Sequence, residues 1–176
     1  MSDVAGSGTT PGWHTLVGGW TGTDRVWFEP STLANESAAA VVVRPTLGGR
    51  GVVIESRWTM GEDEQFTTLL LVAGADGVEG ALVDTFHTGG GAMALAPVPA
   101  ADRSSIVGEV EGIVLAHAAG GYDGDGERWG WHVVLRSVDH DHLVVEAHNV
   151  SPGGEASLAV RSELTRAVDP HDEVTA

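Results

Sequence analysis

The sequence RWGWHVVLRSVDHDHLVVEAHNV, residues 128–150, decides the fold. Residues 128–138 alternate large apolar side chains with polar or small ones, and residues 142–150 show a similar alternation after a polar turn. A period of two places successive side chains on opposite faces of a β-strand. We therefore predict two strands, each with one chiefly apolar face and one mixed or polar face, joined as a hairpin.

The turn length sets which residues of this hairpin face each other. A three-residue turn centred near His140 pairs residues whose numbers sum to 280, which places His132 opposite His148 and Val134 opposite Glu146. Cross-strand neighbours lie about 5 Å apart at Cβ, so Glu146 can orient an imidazole on the same face. A two-residue turn would shift the register by one and remove this pairing. The pattern does not say whether this face lines a barrel interior or forms its outer wall.

The rest of the chain also favours short strands joined by tight turns. Gly, Asp, Ser and Pro clusters punctuate Val- and Ile-rich segments, and helical spacing is nearly absent apart from short candidates at 13–17 and 31–37. Consecutive strands of this kind predict an all-β, closed antiparallel barrel of eight to ten strands with a central cavity. The further candidate strands cover residues 19–28, 38–45, 51–60, 66–73, 78–88, 92–96, 105–111, 112–118 and 156–166.

Length and composition limit the domain count and the partners. We expect one barrel domain over residues 13–167, a flexible tail over 1–12 and a disordered tail over 168–176, within a total of 176 residues. Nine arginines, no lysine and 25 acidic residues give a formal charge of −16, which disfavours nucleic acid and anionic membranes as partners. The sequence shows no signal-peptide pattern and no cysteine, so we expect a cytoplasmic protein without thiol chemistry. A homodimer is compatible with the sequence.

The stretch LVGGWTGT, residues 16–23, resembles the Gly-x-Trp-x-Gly start of the calycin superfamily, which includes lipocalins and fatty-acid-binding proteins. Further segments at 47–55, 82–86, 107–112 and 158–166 are similar, in order, to a bacterial calycin family of unknown function distantly similar to nitrobindin. The resemblance implies a closed barrel that binds an apolar small molecule, with Asp84 on a cavity strand. Nitrobindins bind haem through a histidine of the C-terminal strand, but residues 156–166 contain none.

A second group of candidate residues comes from the preceding strands and from the aromatic residues. A buried Asp84 requires a partner, and Arg57 is the expected one because arginine pairs carboxylates in a bidentate manner. In a regular strand Asp84 and His87 point to opposite faces, although a bulge near residues 89–91 would change that. The remaining predicted ligand contacts are Trp58, Phe86, His117 and Trp131.

Three functions remain open from these residues. The first is binding of an apolar or aromatic small molecule, and the second is a cofactor-free isomerase or cyclase of bacterial secondary metabolism. For the enzyme we expect His132 or His148 to transfer the proton, Glu146 to orient it and Arg57 to hold an anionic oxygen. The third is haem or metal binding, although no ligand spacing in the sequence supports a metal site, and we expect no cofactor. We expect His140 and His142 to lie at an exposed polar hairpin tip.

Overall fold

A computed structural model of the protein describes residues 12–89, 91–99, 112–124 and 127–167. Ten antiparallel strands close into one barrel in the order β1-β10-β9-β8-β7-β6-β5-β4-β3-β2, which confirms the predicted fold class. Each strand pairs with its sequence neighbours, and the first pairs with the last. The strands are β1 (Gly18–Glu29), β2 (Thr32–Thr46), β3 (Gly51–Met60), β4 (Asp63–Ala73), β5 (Val78–Asp84), β6 (Ala92–Pro97), β7 (Ile113–Gly124), β8 (Glu127–Ser137), β9 (His142–Val150) and β10 (Ala156–Arg166).

The β8–β9 hairpin has the predicted register. His132 lies opposite His148, and Val134 lies opposite Glu146. The ladder ends where Ser137 pairs with Leu143, and the polar segment between these two residues forms the turn. The structure therefore confirms the pairing that we predicted from the side-chain alternation and a three-residue turn.

One end of the barrel is filled by apolar side chains. Trp13, in a 3-10 helix (Trp13–Thr15), and Leu16 pack with Trp20 of β1 in the buried core. The indole N–H of Trp20 donates to the Leu16 carbonyl at 2.8 Å, and the Arg166 guanidinium lies 4.2 Å from the centre of the Trp20 ring. Arg166 also donates to the carbonyls of Thr15 and Val17, so it ties the last strand to the segment that closes this end.

The side chains of Trp13, Leu16 and Trp20 form an apolar plug at this end of the barrel. Next to this plug, Gly22 allows the first and last strands to approach each other closely. A Cβ at this position would lie 2.0 Å from the carbonyl oxygen of Glu163 and 2.9 Å from the Cα of Leu164. Only a residue without a side chain fits such a backbone contact. The second glycine of the Gly-x-Trp-x-Gly stretch is thus explained by the seam that closes the barrel.

Some local expectations differ from the structure. The 13–17 candidate is a three-residue 3-10 helix, whereas residues 31–37 belong to a turn and the start of β2, because Asn35 and its neighbours pair with β1. The strand predicted over 78–88 ends at Asp84, and a turn follows. The predicted strand 105–111 and most of both predicted tails lie outside the described residues. Among the described residues, no helix is long and apolar enough to cross a membrane.

Candidate functional site

A cavity lies inside the barrel, between the apolar plug and the opposite end, and is partly open to solvent. The space available to the centres of water-sized molecules measures about 70 Å³, enough for a few waters or a small organic molecule. Most of the wall is apolar, with a smaller polar set that includes two aspartates and one histidine. The lining comprises Asp24, Ser56, Trp58, Thr67, Leu69, Leu82, Asp84, His87, Trp131, Val133, Val145, Glu146, Ala147, Val160 and Ser162.

Asp24 is a buried carboxylate on the inner face of β1. Its position follows from alternation, since Trp20, Gly22 and Asp24 share one side of the strand. Asp24 is 3% exposed, the Ser162 hydroxyl donates to Oδ1, and Oδ2 has no hydrogen-bond partner within the described residues. Burial raises the pKa of Asp24 to about 6, although the Ser162 hydrogen bond and the nearby His87 oppose that effect.

Asp84 and His87 form the second polar pair of the cavity. Asp84 is the last residue of β5, and its Oδ1 accepts the backbone N–H groups of His87 and Thr88, which folds the following turn back toward it. His87 Nδ1 lies 2.9 Å from Asp84 Oδ2. The turn brings together two side chains that a regular strand would separate.

Hydrogen bonding determines the charge of Asp84. Burial alone would raise its pKa, but the hydrogen bonds from His87 and Thr88 outweigh burial and hold the pKa below its usual value. The carboxylate is therefore ionised at neutral pH. It accepts the Nδ1 proton of His87, so a neutral His87 ring carries its lone pair on Nε2.

Aromatic rings form part of the cavity wall and of the layer that packs behind it. Trp58 and Trp131 line the cavity, and the buried indole Nε1 of Trp131 has no hydrogen-bond partner in the part of the chain that the structure describes. Phe86 does not line the cavity itself. It packs edge-on against Trp58 at 5.6 Å between ring centres and stacks on the exposed Phe28 at 6.2 Å. His87 lies 4.7 Å from the Trp131 ring, which continues this aromatic series across the cavity.

The predicted pairing of Arg57 with Asp84 is wrong. Trp58 points inward, so its neighbour Arg57 points outward, where its side chain is 62% exposed and its Nε lies 3.3 Å from Glu64. Asp84 is paired with His87 instead. The alternation of β3 had placed Arg57 and Trp58 on opposite faces without showing which face was the interior.

The predicted catalytic residues do not face the cavity either. Val145 and Ala147 point into it, so Glu146 between them reaches only its edge and directs its carboxylate outward to Arg136, and the cross-strand register places His132 and His148 on that same outer face. His117 of β7 lies on this outer face as well, with its Nε2 3.0 Å from His132 Nδ1. We had expected His117 to contact a ligand and the other three residues to act in catalysis. In the closed barrel Trp131, Val133 and Leu135 of β8 point into the interior. The other face of β8 and the residues paired with it therefore point outward.

Glu146 instead belongs to a buried ion pair on the outer wall. Arg136 Nε donates to Glu146 Oε2 at 2.9 Å, and the Arg136 side chain is 1% exposed. Arg161 Nη1 lies 3.6 Å from the other carboxylate oxygen. Burial would raise the pKa of Glu146, but the adjacent His148 and the Arg136 guanidinium outweigh it and lower that pKa to about 2. The group stabilises this wall as a permanent anion.

The described residues do not form a metal-binding group. No three His, Asp or Glu side chains converge as a metal-binding group within the ranges that the structure describes. At the β8–β9 turn, His140 bonds Asp141 and His142 bonds Asp139, so both histidines are held by neighbouring carboxylates at an exposed hairpin tip.

Sequence reasoning did not single out Asp24, Ser56, Thr67 or Ser162, and it considered His87 without placing it in the site. Asp24 could have been found, because it shares the inward face of β1 with Trp20 at a spacing of four. Ser162 becomes its partner only when β10 pairs with β1, 138 residues away in the chain. His87 reaches the cavity through a turn that the alternation of β5 does not predict.

The fold and cavity define a class of protein: a closed, ten-stranded antiparallel barrel with a small interior cavity. The chain belongs to the family described as "Protein of unknown function (DUF1579)", whose model matches residues 13–166. No curated protein matches the sequence.

Two solved structures resemble the chain at low sequence identity. The S-type phycobiliprotein lyase CPES of Guillardia theta is 10% identical, with a TM-score of 0.48, over 89% of this chain and 91% of the lyase. A protein of unknown function from the DUF3598 family of Nostoc punctiforme is 8% identical, with a TM-score of 0.24, over 88% of this chain and 97% of its own.

Proposed function

We propose that the protein binds a small, largely apolar molecule with a polar head group inside the barrel. The observation that carries the proposal is that two buried polar atoms, Asp24 Oδ2 and Trp131 Nε1, lack hydrogen-bond partners among the described residues and belong to residues that line one cavity. Buried polar atoms are nearly always hydrogen-bonded, and leaving one without a partner costs about 1–3 kcal/mol. A bound molecule that donates a hydrogen bond to Asp24 Oδ2, or accepts one from the indole N–H of Trp131, would recover that energy at the atom it meets.

The chemistry of the wall supports the same proposal. Leu69, Leu82, Val133 and Val160 supply apolar contact, while Ser56, Thr67 and the two aspartates supply a few polar ones. Small-molecule sites have this composition, mostly apolar with a small number of placed polar groups. The calycin resemblance of residues 16–23 adds to this support, and the volume favours a compact ligand over a long-chain one.

Two neighbouring threonines allow a matched test. Thr67 lines the cavity, whereas Thr68, the next residue of β4, is exposed on the outer wall. Native mass spectrometry of freshly purified wild type and Thr68→Phe should show the same retained small molecule, and Thr67→Phe should lack it. Where no molecule is retained, aryl compounds are titrated while the fluorescence of Trp58 and Trp131 is followed. Equal binding by both variants would contradict an interior site.

We also propose proton transfer in the same cavity as a second candidate function, that of a cofactor-free isomerase. The supporting observation is the Asp84–His87 pair. Asp84 holds the Nδ1 proton and leaves the Nε2 lone pair of a neutral His87 ring as a base within a cavity that also contains Asp24. A carboxylate that orients an imidazole is a common arrangement for general-base catalysis.

The isomerase candidate is tested by hydrogen exchange at carbon. Cyclohexanone in D₂O should exchange its α-protons faster with wild type than with His87→Gln, and ligand-observed NMR should show that both proteins bind the ketone. Asp84→Asn should lower the exchange rate about 100-fold or more, since it no longer fixes the tautomer. Binding of the ketone without exchange above the buffer rate would exclude this candidate and leave the binding function in place.

A further inference from the structure

The interior of the barrel is acidic, whereas the arginines of the described residues lie outside it. Asp24 and Asp84 both line the cavity, and no arginine appears among its described lining residues. The chain contains no lysine. Arginines on strands that line the cavity point away from it and pair with acidic side chains on the outer wall. Arg57 pairs with Glu64, and Arg25 pairs with Glu36. His87 is the one basic side chain among the described lining residues, and it is already bonded to Asp84.

From this arrangement we infer that the ligand is a small aromatic or alkyl amine that enters as a cation. This inference rests on the proposed binding function and names the ligand class of the same cavity. Asp24 is only 3% exposed, and the ammonium group donates to its unpartnered Oδ2. The hydrocarbon part of the ligand contacts the apolar wall. Thr67 and Ser56 hydroxyls offer further acceptors within the cavity.

Two physical reasons favour a cation over a neutral or anionic head group. A hydrogen bond between charged partners is about twice as strong as one between neutral groups, and the interior strengthens the attraction. Trp58 and Trp131 line the same cavity, and tryptophan rings attract ammonium groups at their faces. An anionic head group would meet two carboxylates without a free cation, and like charges repel strongly in such an environment. Arg57, which the sequence predicts to hold an anionic oxygen, lies on the outer wall beside Glu64 and is not in the cavity lining.

The state of Asp24 makes amine binding depend on pH. Since burial raises the pKa of Asp24 to about 6, its carboxylate is available as an acceptor above that value and is protonated below it. Amine affinity should therefore fall as the pH drops from 7.5 to 5. The titratable groups that share the cavity with Asp24 are Asp84 and His87, with Glu146 at its border. All three remain in an Asp24→Asn variant, so the difference between variant and wild type isolates Asp24.

Three probes with one ring and different head groups test the inference. These are 2-phenylethylamine, 2-phenylethanol and 3-phenylpropionate, titrated at pH 7.5 by calorimetry and by Trp fluorescence. The amine should bind about 10- to 100-fold more tightly than the alcohol, and the carboxylate should bind more weakly than both. Asp24→Asn should lower amine affinity by about tenfold or more and change alcohol affinity by less than about threefold. Asp63→Asn removes the same charge from an exposed position on β4 and should change neither.

The outcomes separate this inference from the proposed binding function. Equal affinity for all three probes, tighter binding of the carboxylate, or an unchanged amine affinity in Asp24→Asn would overturn the amine inference. If Thr67→Phe abolishes such unselective binding, the cavity still binds small molecules. If Thr67→Phe leaves binding intact, the proposed binding function fails as well. Failure of all three probes to bind also overturns the amine inference, and the retained mass in native mass spectrometry then decides the binding function independently.

Discussion

Replacing Asp24 by Asn should make the protein more stable, and the gain should depend on pH. Burial raises the pKa of this carboxyl from 3.8 to about 6 in the folded protein. A raised folded-state pKa means that protonation stabilises the fold, an effect fully present below pH 3.8 and lost as the pH rises through 6. The difference of about 2.2 pKa units corresponds to about 3 kcal/mol at 1.36 kcal/mol per unit. Asn keeps an oxygen for the Ser162 hydroxyl and avoids the buried charge.

The measurement is urea unfolding of wild type and Asp24→Asn at several pH values, followed by circular dichroism. The stability of the variant relative to wild type should rise by about 2–3 kcal/mol between pH 4 and pH 8. Any fixed cost of fitting the amide group cancels, because only the change with pH is used. Asp63→Asn, at an exposed site, should show no such growth. A gain that stays constant between pH 4 and pH 8 would refute the reasoning about Asp24.

Two further predictions concern stability. Glu146→Gln should lower the free energy of unfolding by about 3–5 kcal/mol at pH 7, since Arg136 is buried beside it. The loss should shrink as the pH falls from 4.5 toward 2, where Glu146 itself becomes protonated; equal urea midpoints at pH 7 would contradict a stabilising pair. Gly22→Ala should cost about 3 kcal/mol or more, because its Cβ would meet the Glu163 carbonyl at 2.0 Å. Gly153→Ala, whose Cβ meets no atom within 3.5 Å, serves as the control in thermal melts, and an unchanged Tm for Gly22→Ala would rule out the close contact.

Much of the barrel's strand arrangement could be predicted from local sequence patterns. The β8–β9 hairpin was predicted down to the pairing of His132 with His148, because side-chain alternation and turn length are properties of adjacent residues. The candidate site was less accessible. Asp84, Trp58 and Trp131 do line the cavity, whereas Arg57 and His117 lie on the outer wall.

The reason for the difference is that alternation divides a strand into two faces but does not label one of them as interior. Both faces of β8 are well buried, with Trp131 and Leu135 inside and Arg136 outside, so even the burial of a residue does not identify its side. Polarity was misleading as well. A buried arginine and glutamate satisfy each other on the outer wall, while a lone carboxylate, Asp24, lies inside.

The amino-acid sequence by itself indicated most of the strands and their antiparallel order and, for a three-residue turn, predicted the β8–β9 register, since each depends on residues near one another in the chain. Only the tertiary structure decided which faces enclose the cavity and which polar groups meet there. Asp24 meets Ser162 because the first and last strands join, and His87 meets Asp84 because a turn reverses the chain. Contacts of the first kind arise from closing the barrel, a property of the whole chain that no local pattern contains.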